Sequence, residues 1–381
     1  MTESDALDVR ALLRQSLETV LTRHYAFEQR RAAYQSDARH SVAAWDAYAG
    51  LGLTALGLPE THGGLPGTLA DVAMACELLG GVLALEPYRA TMVAARLLAA
   101  AGTQAQRAAW LPDLVAGRRK AALVHAGPGG AIPAEAARAD AGWRISGRAS
   151  VIPGADAADL FMVPAHADGE IGLFLVPADA VERQGYGCFD WTGAADLVLA
   201  DVPVPPDAKL DGGEAALALA LDEAVALACA DAVGAMRAAN RLTRDHAGAR
   251  RQFGVAIGSF QVLQHRMADM AIAEEQAAAM TDAALAACEQ GDARGRARAV
   301  SAAKVAVGDS AREVARSCVQ IHGGMGLAEE YPASHYFARL GLFERLLGDR
   351  DAHLRRFMAL GAAGVRDDRP ENRPKNRALA H

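Results

Sequence analysis

Two stretches of the sequence decide the fold. R-R-Q-F-G-V-A-I-G-S-F-Q (Arg250–Gln261) joins two long helical patterns, and Q-I-H-G-G-M-G (Gln320–Gly326) ends the pattern that follows. The second stretch has three glycines in four residues. Such a stretch is typical of a backbone that something approaches closely, or that turns where no Cβ is tolerated.

Long helical patterns lie on both sides of these stretches. Apolar residues recur at helical spacing over Glu214–Arg250, Phe260–Glu289, Arg296–Ile321 and about Ala333–Leu360. Four long antiparallel helices predict a bundle. The second helix has more apolar positions than packing along one internal seam requires. We therefore expect the bundle to pack against another subunit, as a homo- or hetero-oligomer.

The rest of the chain divides into a helical and a β part. The region from Ser4 to about Arg119 has the helical pattern, punctuated by Pro and Gly. Short apolar runs separated by Gly, Pro and Asp then predict a compact β-domain. These runs are Ala121–Leu123, Trp143–Ile145, Leu160–Val163, Ile171–Val176 and Leu197–Val202.

The predicted organisation is therefore mainly α with a central β-domain. An N-terminal helical domain covers 1–120, the β-domain 121–211, the bundle 212–365, and a polar tail 366–381. The tail is rich in Arg, Asp, Asn and Pro and is expected to be disordered.

Composition excludes several classes of protein. The 381 residues carry a net charge of −7, which argues against a basic nucleic-acid surface. The polar, acidic N-terminus is not a signal peptide, and Asp222 and Glu223 interrupt the most apolar run, which excludes an ordinary membrane span. The five cysteines form no CxxC pair, and no metal site is predicted. Reduced thiols and a cytoplasmic location are expected.

Together with the domain order, the two stretches resemble the acyl-CoA dehydrogenase family. W-L-P-D-L-V-A-G (Trp110–Gly117) and D-V-P-V-P-P-D-A-K-L (Asp201–Leu210) resemble the ends of its first and second domains. The resemblance implies an N-terminal helical domain, a middle β-barrel domain and a C-terminal four-helix bundle. It also implies FAD as cofactor, an acyl-CoA thioester as substrate for α,β-desaturation, and an electron-transfer flavoprotein as electron acceptor.

The resemblance further implies which residues bind FAD. In the family, the two stretches of one subunit hold the ADP half of an FAD that is bound chiefly by its neighbour. The corresponding residues here are Arg250, Gln252, Phe253, Gln261, Gln320, Gly323, Gly324 and Gly326. The guanidinium of an arginine can donate two hydrogen bonds to a phosphate, and glycines allow backbone N–H groups to approach the phosphate. Taken alone, the glycines would also suit a helix C-cap and turn.

The flavin-ring side departs from the family pattern. The family has T-E-P-G-A-G-S-D and W-I-T where this chain has L-V-H-A-G-P-G-G (Leu123–Gly130) and V-I-P (Val151–Pro153). Val151 replaces a stacking Trp, and Pro153 has neither hydroxyl nor N–H. The flavin-ring half of this chain's own site therefore lacks the side chains that contact the flavin in the family.

The usual catalytic base is also missing. The family's Glu aligns near Gly348, with Asp349 adjacent and Asp351 two residues further. Asp349 is the candidate base within this chain; otherwise it is a solvated residue or pairs with a neighbouring arginine. In a smaller branch the base belongs to a Glu-Arg pair on the first bundle helix, and the two positions of that pair are Ala224 and Val225 here. Glu223 is one residue away, about 100° around the helix.

A heteromer explains an intact ADP side beside a degraded flavin side. L-A-L-E-P-Y (Leu83–Tyr88), S-H-Y-F-A-R-L (Ser334–Leu340) and G-D-R-D-A-H-L (Gly348–Leu354) resemble the small subunit of pimeloyl-CoA dehydrogenase. The leading hypothesis is a small subunit whose large acyl-CoA dehydrogenase partner carries the base. The alternatives are a homo-oligomeric dehydrogenase using Asp349, a flavin-free scaffold subunit, and an oxidase or monooxygenase on the same fold.

Overall fold

The structure is a computed structural model that describes residues 3–125, 127 and 129–367. The predicted polar tail lies outside the described residues from position 368 onward. So do Ala126 and Pro128 of the Leu123–Gly130 segment.

The N-terminal part is helical, as predicted. Three of its helices begin at a Ser or Thr whose hydroxyl accepts a backbone N–H: Ser41, Thr68 and Thr103. At Thr68 and Thr103 the side chains of Asp71 and Gln106 reach back to complete a capping box. The six helices are α1 (Glu3–His24), α2 (Phe27–Gln35), α3 (Val42–Gly50), α4 (Leu69–Gly81), α5 (Tyr88–Ala101) and α6 (Gln104–Val115).

A single mixed sheet follows. Its eight strands are β1 (Ala121–Leu123), β2 (Ala134–Ala139), β3 (Gly142–Pro153), β4 (Leu160–Ala167), β5 (Glu170–Pro177), β6 (Glu182–Gly187), β7 (Gly193–Val204) and β8 (Lys209–Leu210). Their order is β6-β7-β3-β2-β4-β5-β8, and β1 pairs in parallel with the first half of β4. The sheet encloses its own apolar core, which includes Phe161, Phe174 and Ile145.

All five predicted strand segments lie in strands, but β2, β6 and β8 have no counterpart in the prediction. The sequence of β2, A-E-A-A-R-A, has the composition of a helix, and β6, E-R-Q-G-Y-G, has no apolar alternation. Both are strands because of their neighbours, since β2 pairs with β3 and β4, and β6 pairs with β7.

The C-terminal part contains long helices that share one large core with the N-terminal helices. The elements are α7 (Gly213–Ala249), β9 (Arg251–Gln252), β10 (Val255–Ala256), α8 (Gln261–Gln290), α9 (Ala293–His322), α10 (Pro332–Arg345) and α11 (Arg350–Asp367). The first three helices match their predicted ranges to within a few residues.

The fourth predicted helix is interrupted. The range 333–360 was expected to be continuous, but α10 ends at Arg345 and α11 begins at Arg350. Leu347 and Gly348 between them have φ values of 58° and 98°, which an α-helix cannot include. The break lies at the position where the family's catalytic Glu was aligned.

One buried arginine ties the three parts of the chain together. Arg339 on α10 lies 2.9 Å from Asp190 of the β-domain (Nε to Oδ2) and 3.3 Å from Asp231 on α7 (Nη1 to Oδ2). It also donates a hydrogen bond of 2.7 Å to the carbonyl of Ala84, which precedes α5. Because all these partners are buried or half-buried, removing one of them would leave an uncompensated charge.

Within the described ranges, no helix has the length and apolar character to cross a membrane. Across those same residues, no group of three or more His, Cys, Asp or Glu side chains has the geometry to hold a metal ion.

Candidate cofactor site

The first candidate stretch forms a hairpin at the end of α7. The strands β9 and β10 pair Gln252 with Val255 and Arg251 with Ala256. The two turn residues, Phe253 and Gly254, have φ values of 52° and 83°, as in a type I′ hairpin turn. A left-handed conformation is unfavourable for a phenylalanine. The side chain of Phe253 is 93% exposed. The hairpin thus presents an aromatic face to the outside of the chain.

The glycine stretch ends α9. Gly323 has a φ of 64°, and a Cβ built on Gly323 or Gly324 would meet no described atom within 4 Å. At Gly326, by contrast, a Cβ would lie 3.0 Å from both the His322 Cβ and the Val319 carbonyl oxygen. Packing within the chain therefore accounts for Gly326. Gly324 leaves open space that a bound molecule can fill, and the same space lies beside Gly323.

Two histidines bring the two stretches together. His246, on the last turn of α7, stacks on His322, with ring centroids 4.3 Å apart and an angle of 28° between the planes. Burial is the main cause that lowers the pKa of both rings, so both are neutral at pH 7. The sequence analysis did not single out His246. Its position four residues before Arg250 was the available signal, because that spacing places it on the same helix end.

The side chains predicted to bind the ADP half belong to the two stretches that this stack brings together. Arg250, Gln252, Gln261 and Gln320 are exposed, and the Arg250 guanidinium forms no ion pair or hydrogen bond with any described residue. Helix α8 begins at Gln261 without an acidic residue in its first turn, so the positive end of its dipole remains available to an anion. This end of the bundle is therefore suited to a phosphate group beside an aromatic or adenine ring.

The candidate base Asp349 has a structural role that its position in the chain explains. Its Oδ1 accepts a hydrogen bond of 2.9 Å from the N–H of Ala352, which makes Asp349 the N-cap of α11. That bond is the main cause that holds the pKa of Asp349 below its usual range. The side chain is exposed, and a carboxylate in this state is a capping group and a weak base.

The other candidate carboxylate, Glu223, is fully engaged. Arg96 on α5 donates two hydrogen bonds to its carboxylate, of 2.9 Å from Nε to Oε2 and of 2.8 Å from Nη2 to Oε1. Glu223 is buried, and it lines a depression together with Gly57 and Leu97. Ala224 and Val225, at the two positions of the Glu-Arg pair of the smaller branch, are buried, and neither is an acid.

Comparison with known proteins decides the family. The acyl-CoA dehydrogenase N-terminal domain model matches residues 5–118, and the acyl-CoA dehydrogenase C-terminal domain model matches residues 211–359. The chain is 30% identical over 351 residues to the acyl-CoA dehydrogenase IpdE2 of Mycolicibacterium smegmatis, covering 92% of this chain and 98% of that protein. The chain belongs to the acyl-CoA dehydrogenase family.

Two solved structures are similar to this chain over nearly its whole length. One is a variant of the steroid ACAD Tcur3481–Tcur3483, with a TM-score of 0.87, 31% identity, and coverage of 94% of this chain and 98% of that one. The other is the ChsE4–ChsE5 complex from Mycobacterium tuberculosis, with a TM-score of 0.87, 25% identity, and coverage of 95% and 98%. These matches confirm the predicted fold, and the cofactor of this family is FAD, as the sequence predicted.

The open space at Gly324 and the unpaired Arg250 fit the ADP half of FAD. The flavin-ring side does not offer the same fit. Val151 ends up in a left-handed conformation (φ 57°) and is 52% exposed. Its N–H donates to Asp196 Oδ1 at 2.8 Å, so this group is already used within the β-domain. Pro153, two residues on, has no N–H to offer.

A close backbone contact joins Gly127 to the break between α10 and α11. A Cβ built on Gly127 would lie 2.2 Å from the carbonyl carbon of Leu347. Gly127 therefore packs directly on the backbone of the α10–α11 break. His125 reinforces this contact by accepting the N–H of Gly127 at its Nδ1, at 2.8 Å.

Proposed function

We propose that this chain is the small subunit of a heteromeric, FAD-dependent acyl-CoA dehydrogenase. In this arrangement it contributes the ADP side of an FAD site that is shared with a large subunit, and the large subunit carries the catalytic base. One observation carries the proposal: the side chains of Arg250, Gln261 and Gln320 are exposed and form no hydrogen bond or ion pair with a described residue, whereas the family's base positions in this chain are Ala224 and Gly348 and carry no acid.

Each ADP-side residue has a defined task in this proposal. The Arg250 guanidinium forms charge-assisted hydrogen bonds to the pyrophosphate, and the backbone beside Gly323 and Gly324 approaches it. Phe253 packs its exposed ring on the cofactor, while Gln252, Gln261 and Gln320 supply amide hydrogen bonds. When bound, FAD accepts the hydride of the desaturation. The task of this chain is to bind and orient the cofactor's distal half for the partner's chemistry.

The reaction proposed for the complex is α,β-desaturation of an acyl-CoA, with electrons passing to an electron-transfer flavoprotein. The ChsE4–ChsE5 complex, a similar structure, is an assembly of two named proteins, which supports a heteromer here. In this proposal the cavity of the large subunit determines which acyl group the complex accepts. The resemblance to the pimeloyl-CoA dehydrogenase small subunit favours a dicarboxylyl-CoA, and the likeness to a steroid ACAD favours a steroid side-chain thioester.

Flavin stoichiometry tests the proposal. The chain is purified alone and together with the large subunit, and the visible spectrum and the amount of FAD released are measured. We expect a colourless lone chain and a yellow complex with one FAD per pair of chains. One FAD bound by each lone chain would overturn the heteromer and favour a homo-oligomeric enzyme. A complex without flavin would favour a scaffold subunit.

Substitution of the candidate base separates the remaining mechanisms. In the complex, Asp349→Ala is expected to leave turnover unchanged because the base belongs to the partner. Asp351→Ala, two residues away in the same helical turn, is the matched control. A loss of turnover of a hundredfold or more in Asp349→Ala alone would identify Asp349 as the base.

A further inference from the structure

The stacked rings of His246 and His322 join the two stretches of the surface that we propose for the ADP half of FAD. His246 belongs to the last turn of α7, and its carbonyl oxygen accepts the backbone N–H of Arg250 at 2.8 Å. The chain after β10 then returns to this point, since the N–H of Ile257 donates to the Arg250 carbonyl at 2.8 Å. The β9–β10 hairpin is therefore anchored to the helix turn that carries the His246 ring.

His322 holds the other stretch, because it immediately precedes Gly323. Its side chain is buried, and Nδ1 lies 2.8 Å from the Cys318 carbonyl oxygen. The neutral ring therefore carries its proton on Nδ1 and leaves Nε2 bare. Nε2 is enclosed and has no hydrogen-bond partner among the described residues. A second proton would have to sit on this nitrogen, where the described part of the chain offers no acceptor, so protonation of the stacked ring is unfavourable.

The side chains that touch the pair are neutral or positive. After burial, the neighbouring His322 ring and the Arg250 guanidinium lower the pKa of His246. His322 contacts Cys318, whose Sγ lies 3.8 Å from its Nδ1, and Tyr331, whose ring centroid is 5.3 Å from its own. Burial raises the pKa of the Cys318 thiol and of the Tyr331 hydroxyl, so both are neutral at pH 7.

The other elements at this end of the bundle supply no counterion either. The two short turns packed there, Ile257–Ser259 and Gly323–Leu327, contain no titratable side chain. Within the described residues, no carboxylate and no charged side chain of α8 or α10 lies near enough to shift the pKa of either histidine. A proton on either ring of the stack therefore has no compensating negative charge.

We propose that His246 and His322 are positioning residues for the cofactor, and that protonation of the pair in mild acid separates the rings and releases the ADP half of FAD. The inference rests on the proposed function, because it concerns the same surface. Unstacking detaches the hairpin that carries Arg250 from the turn that carries Gly323 and Gly324. The groups proposed to hold the pyrophosphate then no longer face one ligand.

Proton linkage gives the direction of the acid response. The pKa of both rings is lowered in the stacked state, whereas a solvated histidine titrates near about 6.5. Below about pH 6.5 the open state binds more protons than the stacked state, so acid favours opening. Two protonated rings beside the Arg250 guanidinium would also repel one another. FAD is therefore expected to be held at pH 7 and to be released progressively as the pH falls below about 6.5.

The rate of FAD release from the assembled complex, followed by flavin fluorescence, tests this inference. We expect the natural complex to release FAD about fivefold faster at pH ~5.5 than at pH ~7.5. His246→Phe keeps an aromatic ring that cannot be protonated, so release at the higher pH should be unchanged and the acid effect at least halved. His246→Ala has no ring to stack and should release FAD faster at both pH values. The control is His166→Phe, at an exposed position on β4, which should match the natural complex.

Hydrogen exchange of the lone chain measures the opening without flavin. The amides of Arg250 and Ile257 are both hydrogen-bonded in the closed state. After correction for the intrinsic effect of pH on exchange, their protection should fall about fivefold over the same pH range in the natural chain, and by no more than about half as much in His246→Phe. Circular dichroism at both pH values confirms that the chain remains folded.

An equal acid response of the natural protein and His246→Phe, in either measurement, would overturn the inference. So would tighter retention of FAD at the lower pH, which would indicate an ion pair between a protonated His246 and the pyrophosphate. A complex that binds no flavin at either pH would overturn the proposed function. The hydrogen exchange of the lone chain would still decide whether acid opens the pair, so the two failures are distinguishable.

Discussion

The His246 ring lies on the His322 ring with centroids 4.3 Å apart, and this contact joins the end of α7 to the end of α9. Both rings are neutral at pH 7 because burial lowers their pKa values. The stack therefore holds the β9–β10 hairpin beside the glycine stretch without adding a charge. Two stretches that are far apart in the sequence become one exposed surface in this way.

Gly324 is expected to be needed for cofactor binding and not for folding. No described atom lies within 4 Å of a Cβ built there, so Gly324→Ala should unfold at the same denaturant concentration as the natural chain. In the complex, the same variant should retain FAD about tenfold more weakly, a difference of about 1.4 kcal/mol. Fluorescence of released FAD measures the retention.

The matched control for Gly324 is Gly308, inside α9, where an added Cβ also meets no described atom within 4 Å. Gly308→Ala should stabilise the helix by up to about 1 kcal/mol and leave FAD retention unchanged. Equal FAD retention in Gly324→Ala and Gly308→Ala would contradict a cofactor contact at Gly324.

The pair of Glu223 and Arg96 is expected to be structural. Glu223→Gln leaves the Arg96 guanidinium, whose side chain is 20% exposed, without its carboxylate. We expect a loss of about 2–3 kcal/mol in the free energy of unfolding, measured by urea denaturation, and unchanged turnover of the assembled complex. Glu60→Gln, at an exposed site, should change stability by less than about 0.5 kcal/mol. Lost turnover with unchanged stability would indicate a catalytic Glu223 instead.

Asp349 is expected to contribute to stability as a helix cap. Asp349→Ala removes the acceptor for the Ala352 N–H and should lower the free energy of unfolding by about 1 kcal/mol. Asp349→Ser, which can still accept that bond, should restore most of the loss. Thermal denaturation followed by circular dichroism measures both, and a Ser variant as unstable as the Ala variant would argue against capping.

His353 is expected to make the protein sensitive to acid. Its Nε2 lies 2.9 Å from the Leu347 carbonyl oxygen, and its Nδ1 is buried without a partner among the described residues. Burial is the main cause that lowers its pKa from 6.5 to about 4. The unfolded chain therefore binds a proton on this residue between pH 6.5 and 4 while the folded chain does not, and stability falls as the pH is lowered through that range.

The size of this effect follows from the pKa difference and is about 3 kcal/mol. His353→Gln, which can still donate to the Leu347 carbonyl, should reduce the loss of stability between pH 6.5 and 4 by that amount. His265→Gln, at an exposed position on α8, should leave the pH profile unchanged. Urea denaturation at several pH values tests this, and parallel profiles for both variants would contradict the assignment to His353.

Local pattern alone predicted the helical segments, the five main strand segments and the two stretches that carry the family resemblance. Helical periodicity, Gly and Pro punctuation and residue type are local properties that a sequence displays directly. The break at Leu347–Gly348 was not visible in that pattern, because the apolar spacing continues across it. The strands β2 and β6 were missed because their pairing depends on neighbours distant in the chain.

The sequence by itself determined the fold class, the family and the residue types of the ADP-side surface. Only the tertiary structure decided how each charged group is used. It pairs Glu223 with Arg96 and makes Asp349 a helix cap. The physical reason is that the state of an ionisable side chain depends on burial and on partners from other elements. Neither is a property of the residue or of its neighbours in the sequence.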